Sequence, residues 1–123
     1  MPHQPGPVLL HGHRILVVED DYFVADDLRR ELEGHGAKVL GPAPSLADAL
    51  DLLAREDRPD SALLDVKLAD ELVYPLADVL RGRGIPFVFA TAYDQRDIPA
   101  AYAQVPRCEK PFEMSQLIKA LAG

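Results

Sequence analysis

The chain has a single cysteine, Cys108, so no disulfide can form within it. That scarcity fits a reducing compartment. No apolar run approaches the ~20 residues that a membrane-spanning helix needs. The N-terminal residues lack the basic stretch followed by an apolar one that marks a secretion signal. A cytoplasmic protein without membrane contact is expected. Positive charge is also short: 13 Lys and Arg stand against 20 Asp and Glu, a net charge of -7. A basic face for direct nucleic-acid binding is therefore not expected. Neither G-x-G-x-x-G nor G-x-x-x-x-G-K-[ST] occurs, so nothing supports nucleotide binding. No internal repeat and no linker interrupts the chain.

What is present describes one domain. The 123 residues are 48% apolar and 27% charged, enough for a single proper core. Residues 1–13 are rich in Pro, Gly and His and lack periodicity, so a flexible tail is expected there, with the folded domain at 14–123. His3, His11 and His13 have no Cys or acid beside them to complete a metal site. The starting Met1 and the terminal helical pattern are expected to bound a complete protein.

From Arg14 the chain alternates. Arg14-Ile15-Leu16-Val17-Val18 reads as a strand, and Val24, Leu28 and Leu32 then recur at helical spacing as far as Gly34-His35-Gly36. Ala37 to Leu40 form a second short strand. Ser45 with Asp48 three residues on reads as a helix start, followed by a stripe of Leu46, Ala49, Leu50 and Leu53. Arg58-Pro59-Asp60 ends that helix, and a third strand runs to Asp65. Val73, Leu76, Ala77 and Leu80 stripe a third helix, with Pro75 tolerated in its first turn. Pro86 to Ala90 is the fourth strand. A fourth helix is expected across Asp94 to Gln104, a fifth strand across Val105 to Cys108, and a final helix carries Met114, Leu117, Ile118 and Leu121. Cys108 reads as a structural strand residue. Five βα units with apolar, non-alternating strands imply an α/β fold, a doubly wound parallel sheet with helices on both faces.

Ligands of such sheets bind at the C-terminal ends of the strands. Four groups fall there: Glu19-Asp20-Asp21, Asp65, Thr91 with the small Ala92, and Lys110 before Pro111. Each has an ordinary explanation alone: acids complement helix N-termini, and Thr and Lys are common on surfaces. Together they suit one chemistry. Carboxylates form a hard-oxygen site for Mg2+. Asp65 can then act as a nucleophile toward phosphorus, with a hydroxyl and an ammonium touching phosphoryl oxygens. Ala92 leaves room beside Asp65.

The motifs Val17-Val18-Glu19-Asp20-Asp21, Leu64-Asp65-Val66, Thr91-Ala92 and Lys110-Pro111-Phe112 resemble those of two-component response-regulator receiver domains, over Arg14 to Ala122. The resemblance implies a flavodoxin-like five-stranded sheet of order 2-1-3-4-5. It implies that Asp65 is the phosphoacceptor. Asp20, Asp65 and the backbone carbonyl of Lys67 would ligate Mg2+, with Glu19 acting through a metal-bound water. Thr91 and Lys110 would contact the phosphoryl group, and a cis Lys110–Pro111 bond would aim the lysine. Implied partners are a sensor histidine kinase or histidine phosphotransfer protein and a downstream protein; formation of a homodimer stays open. The chain would catalyse its own phosphorylation and dephosphorylation without being a conventional enzyme. Pro86-Phe87-Val88-Phe89-Ala90-Thr91-Ala92-Tyr93 is similar to the Pro-Phe-x-Phe-Ala-Thr-Gly-Tyr signature of a receiver subfamily, many of whose members are free-standing.

Two positions depart from the pattern. Ala92 replaces the signature Gly. Arg107 stands where most receivers carry the aromatic ring that swings inward with the threonine; Tyr93, Tyr102 or Phe89 would have to substitute. Lys67 and Tyr93, two residues after Asp65 and Thr91, are expected to modulate access of water to the acyl phosphate. Two alternatives remain: a phosphorylation-independent adaptor with a receiver fold, and an Asp-nucleophile phosphohydrolase. The latter would want a carboxylate two residues after the nucleophile, where Lys67 stands.

Overall fold

The computed structural model describes residues 10–55, 58–91, 98–109 and 113–122, and for Thr91 the backbone alone. Seven strands and four α-helices occur among them: β1 (Arg14–Val18), α1 (Tyr22–Gly34), β2 (Lys38–Ala43), α2 (Leu46–Arg55), β3 (Ser61–Asp65), β4 (Lys67–Leu68), β5 (Glu71–Leu72), α3 (Tyr74–Gly82), β6 (Phe87–Thr91), β7 (Arg107–Glu109) and α4 (Met114–Ala122). The main sheet has the order β2-β1-β3-β6-β7 and is parallel throughout. Counting only its five strands, that is the expected 2-1-3-4-5.

The strands are apolar because both faces are covered. Every residue of β3 is buried. Alternate side chains feed two separate cores. Leu16, Val18, Ala62, Leu64, Phe87 and Phe89 pack against α2 and α3. Ile15, Val17, Leu63, Val88 and Ala90 pack against α1 and α4. Among the described residues, no helix is long and apolar enough to cross a membrane.

Local chemistry starts the helices where the sequence indicates. The Asp21 carboxylate accepts the Phe23 and Val24 N–H groups at 2.9 and 3.2 Å, capping α1. The Ser45 hydroxyl accepts the Asp48 N–H at 3.2 Å and donates to the Asp48 carboxylate at 3.0 Å, fixing the start of α2. The α3 stripe of Val73, Leu76, Ala77 and Leu80 is wholly buried, and Pro75 sits in the first turn, where a missing N–H costs nothing.

Several expectations need correction. Leu50 is 39% exposed: one step past buried Ala49, a helical residue is turned by about 100°, which carries Leu50 off the stripe. Of the expected helix across Asp94 to Gln104, residues 94–97 lie outside the described residues. The remainder forms only a 3-10 turn at Ala100–Tyr102, because Pro99 holds an extended ψ of 150° and a helical turn can begin only after it. The described residues thus hold four helices, not five. The last strand starts at Arg107 rather than Val105, set by its pairing with Phe89. Leu10, assigned by sequence to the tail, is fully buried among Leu32, Leu117 and Leu121. The short antiparallel pair β4–β5 was not anticipated.

Candidate functional site

β1 and β3 run side by side, with Val18 opposite Leu64. The residues that follow or end them, Glu19, Asp20 and Asp65, therefore meet at the C-terminal edge of the sheet. A carboxylate oxygen from each lies within 4.8 Å of the others. Glu19 and Asp65 are only 3% and 8% exposed, whereas Asp20 is open to solvent. Buried carboxylates this close repel unless a cation, a hydrogen-bond donor or a proton offsets the charge.

Backbone groups hold the cluster in place. The Glu19 carboxylate accepts the Asp21 N–H at 3.1 Å, and the Glu19 N–H donates to the Ala43 carbonyl at 3.0 Å. The Asp20 carboxylate accepts the Ala69 N–H at 2.6 Å. Ala69 sits at the tip of the β4–β5 hairpin with a φ of 53°, a left-handed conformation that L residues seldom adopt. On the hairpin's other side, the Glu71 carboxylate accepts the Leu46 N–H at 3.0 Å, at the N-terminus of α2. The hairpin that follows Asp65 is thus fastened to the acid cluster and to a helix. A cleft of about 450 Å³ continues outward from Glu19 and Asp20, past Tyr22, Pro42 and Pro44.

The other anticipated residues are placed in part. Thr91 ends β6, pairs by its backbone with Glu109, and follows Ala90, the register partner of Asp65. Lys67 is exposed in β4, two residues past Asp65. Arg107 begins β7 and is half-buried. Ala92, Tyr93, Lys110 and the Lys110–Pro111 bond lie outside the described residues. Cys108 is half-buried in β7, and burial pushes its thiol pKa up, which favours the inert thiol over the reactive thiolate.

Sequence reasoning did not single out Glu71 or Ala69. Nor did it find Tyr74, Asp78 and Arg81, which gather around Tyr102. These three stand at i, i+4 and i+7 on α3, a spacing visible in the sequence. It escapes notice because two of the three are charged.

The profile of the response regulator receiver domain matches residues 15–122. The chain belongs to that family. SdrG from Sphingomonas melonis Fr1 has a solution structure similar to this receiver, with a TM-score of 0.78 and 36% identity over 93% of this chain and 95% of that one. The response regulator PhyR from Brucella abortus is similar over 94% of this chain and 49% of its own, at 28% identity and a TM-score of 0.76. Sensory transduction protein LytT from Bacillus cereus is 33% identical over 112 residues, 88% of this chain and 45% of LytT. The receiver spans about half the length of the curated relatives it matches. It is a two-component response-regulator domain with the fold of its neighbours. Receivers generally hold Mg2+ in an acidic pocket. The donors here fit one: they are all carboxylate oxygens, they converge, and two of the three residues are buried.

Proposed function

We propose that this receiver accepts a phosphoryl group on Asp65 from the phosphohistidine of a sensor kinase or phosphotransfer protein. The observation that carries the reading is the convergence of three carboxylates within 4.8 Å, one of them Asp65 at the end of a fully buried strand. An Asp65 oxygen attacks phosphorus in line with the P–N bond. That bond breaks, its electron pair stays on the imidazole nitrogen, and an acyl phosphate forms. Glu19, Asp20 and Asp65, with the Lys67 carbonyl, would hold Mg2+, which supplies positive charge against the phosphoryl oxygens.

The remaining roles are assigned to the chain's own groups. Thr91 and Lys110 bind and orient the phosphoryl oxygens. Ala92 leaves space for the group, and Tyr93 obstructs the water that would hydrolyse it. Lys67, exposed and near, modulates that hydrolysis. The segment from Pro86 to Tyr93 supports placing this receiver with the free-standing group, whose output is contact with another protein. Phosphorylation would then act as a population shift between two packings.

The test is intact-mass spectrometry after incubation with Mg2+ and acetyl phosphate, on wild type and Asp65→Ala. An adduct on wild type alone supports the proposal. Labelling of both proteins means that another residue accepts the phosphate. Failure of wild type with both acetyl phosphate and kinase donors would favour the adaptor reading.

A further inference from the structure

Arg107 leaves this receiver without a ring at the position where others couple the site to the surface. Four of its described aromatic residues, Tyr74, Phe87, Phe89 and Tyr102, gather elsewhere. The Tyr102 ring is 7% exposed. It stacks on Tyr74 with centroids 5.0 Å apart and planes inclined by 21°, and it meets Phe89 edge-on at 6.0 Å. The Arg81 guanidinium lies 4.7 Å from its centroid, and Arg81 also donates to the Ala101 carbonyl at 3.1 Å. The Tyr102 hydroxyl donates to the Asp78 carboxylate. One face of α3, carrying Tyr74, Asp78 and Arg81, therefore grips the 3-10 turn at Ala100–Tyr102.

The cluster reaches the site through Phe89. Phe89 pairs with Leu64, the residue before Asp65, and stands two positions before Thr91 on β6. It also meets Tyr74 edge-on at 5.9 Å. A displacement at the end of β6 has to be accommodated by these rings, because dense packing transmits it. The hydroxyl at the far end makes the response discrete: it bonds Asp78 and lies 3.5 Å from the Tyr74 carbonyl, so leaving α3 means giving up both for water.

We infer that Tyr102 is the switching aromatic of this receiver, latched to Asp78 in the unphosphorylated chain and released, with the 3-10 turn, when phosphorylation displaces the end of β6. The inference rests on Asp65 being the acceptor. It assigns the response to the α3 side of β6 rather than to β7.

The experiment is a set of amide NMR spectra with and without Mg2+ and acetyl phosphate, for wild type, Tyr102→Phe and Asp78→Asn, with the adduct measured by mass in each tube. In wild type, signals of residues 74–82 and 98–105 should move on phosphorylation. Unphosphorylated Tyr102→Phe should lie part-way along the same lines, its switched population raised roughly fivefold by loss of one hydrogen bond. Asp78→Asn keeps an acceptor oxygen and should stay near wild type. A merely structural role would lower stability without moving signals along those lines. Wild type that carries the adduct with residues 74–82 and 98–105 unmoved overturns the inference, and so does Tyr102→Phe displaced off the lines. Absence of an adduct on wild type with acetyl phosphate and with a kinase donor alike overturns the reading of Asp65, and the inference falls with it.

Discussion

The two sides of the sheet are filled with different material. On the α1 and α4 side, the described core is aliphatic: Leu28, Leu32, Leu63, Val88, Leu117, Ile118 and Leu121. On the α2 and α3 side, Phe87, Phe89 and Tyr102 are buried, with Tyr74 packed against them. Aliphatic side chains carry no polar atom, so a close-packed set of them has no hydrogen bond to exchange for water. Aromatic pairs have preferred angles, and this cluster ends in the Tyr102 hydroxyl, whose bonds to α3 have an alternative in solvent. One side is built as a frame and the other as a part that can take two arrangements.

The largest effect expected is the removal of a ring or a leucine from either side. Phe89→Ala should cost about 3–5 kcal/mol and Leu117→Ala about 2–5 kcal/mol in urea unfolding. The costs are similar, but only Phe89→Ala should blunt phosphorylation-dependent shifts at residues 98–105. Equal responses from the two variants would erase the distinction between frame and moving part.

Loss of the Tyr102 hydroxyl is smaller, about 1 kcal/mol, and carries a pH signature. Burial, and then the Asp78 hydrogen bond, raise the phenol above its ordinary value. The folded state then keeps a proton that the unfolded state releases. This contribution is complete below about pH 10 and is lost as pH rises past it. Wild type should therefore lose stability more steeply than Tyr102→Phe above roughly pH 10; parallel curves would show that the hydroxyl is not held.

Smaller again is Ser45→Ala, which removes the α2 cap at a cost of about 1 kcal/mol or less. Because the Ser45 hydroxyl bonds to Asp48 in the first turn of α2, the signals of residues 98–105 should stay in place. The smallest is Asp51→Ala. Its ion pair with Arg55, 2.9 Å long, joins side chains that are both 61% exposed, so a change beyond ~0.5 kcal/mol would be unexpected.

The fold was legible because its strands are short apolar runs bounded by Gly, Pro and acids, and because helical stripes such as Val73, Leu76, Ala77 and Leu80 are unbroken. The acid cluster was legible because Glu19, Asp20 and Asp65 fall at strand ends, and topology then brings them together. Contacts between distant segments were not. Nothing near Tyr102 announces that Asp78, 24 residues earlier, will take its hydroxyl. Nothing near Leu10 marks it as core, since the cluster it joins also draws on Leu117 and Leu121 from the other end of the chain. Pro99 did carry the signal that a helix across 94–104 would be cut short.

The burial of Leu10 has a practical side. It anchors the chain just before β1, in the cluster that also holds the last turns of α4. Helices in such folds run back against the strands, so both anchors lie at the sheet edge remote from Asp65. His11 and Lys119 are exposed there. A dye or an immobilising surface attached at either would stand behind the molecule, leaving the acid cluster unobstructed for a partner presented in solution.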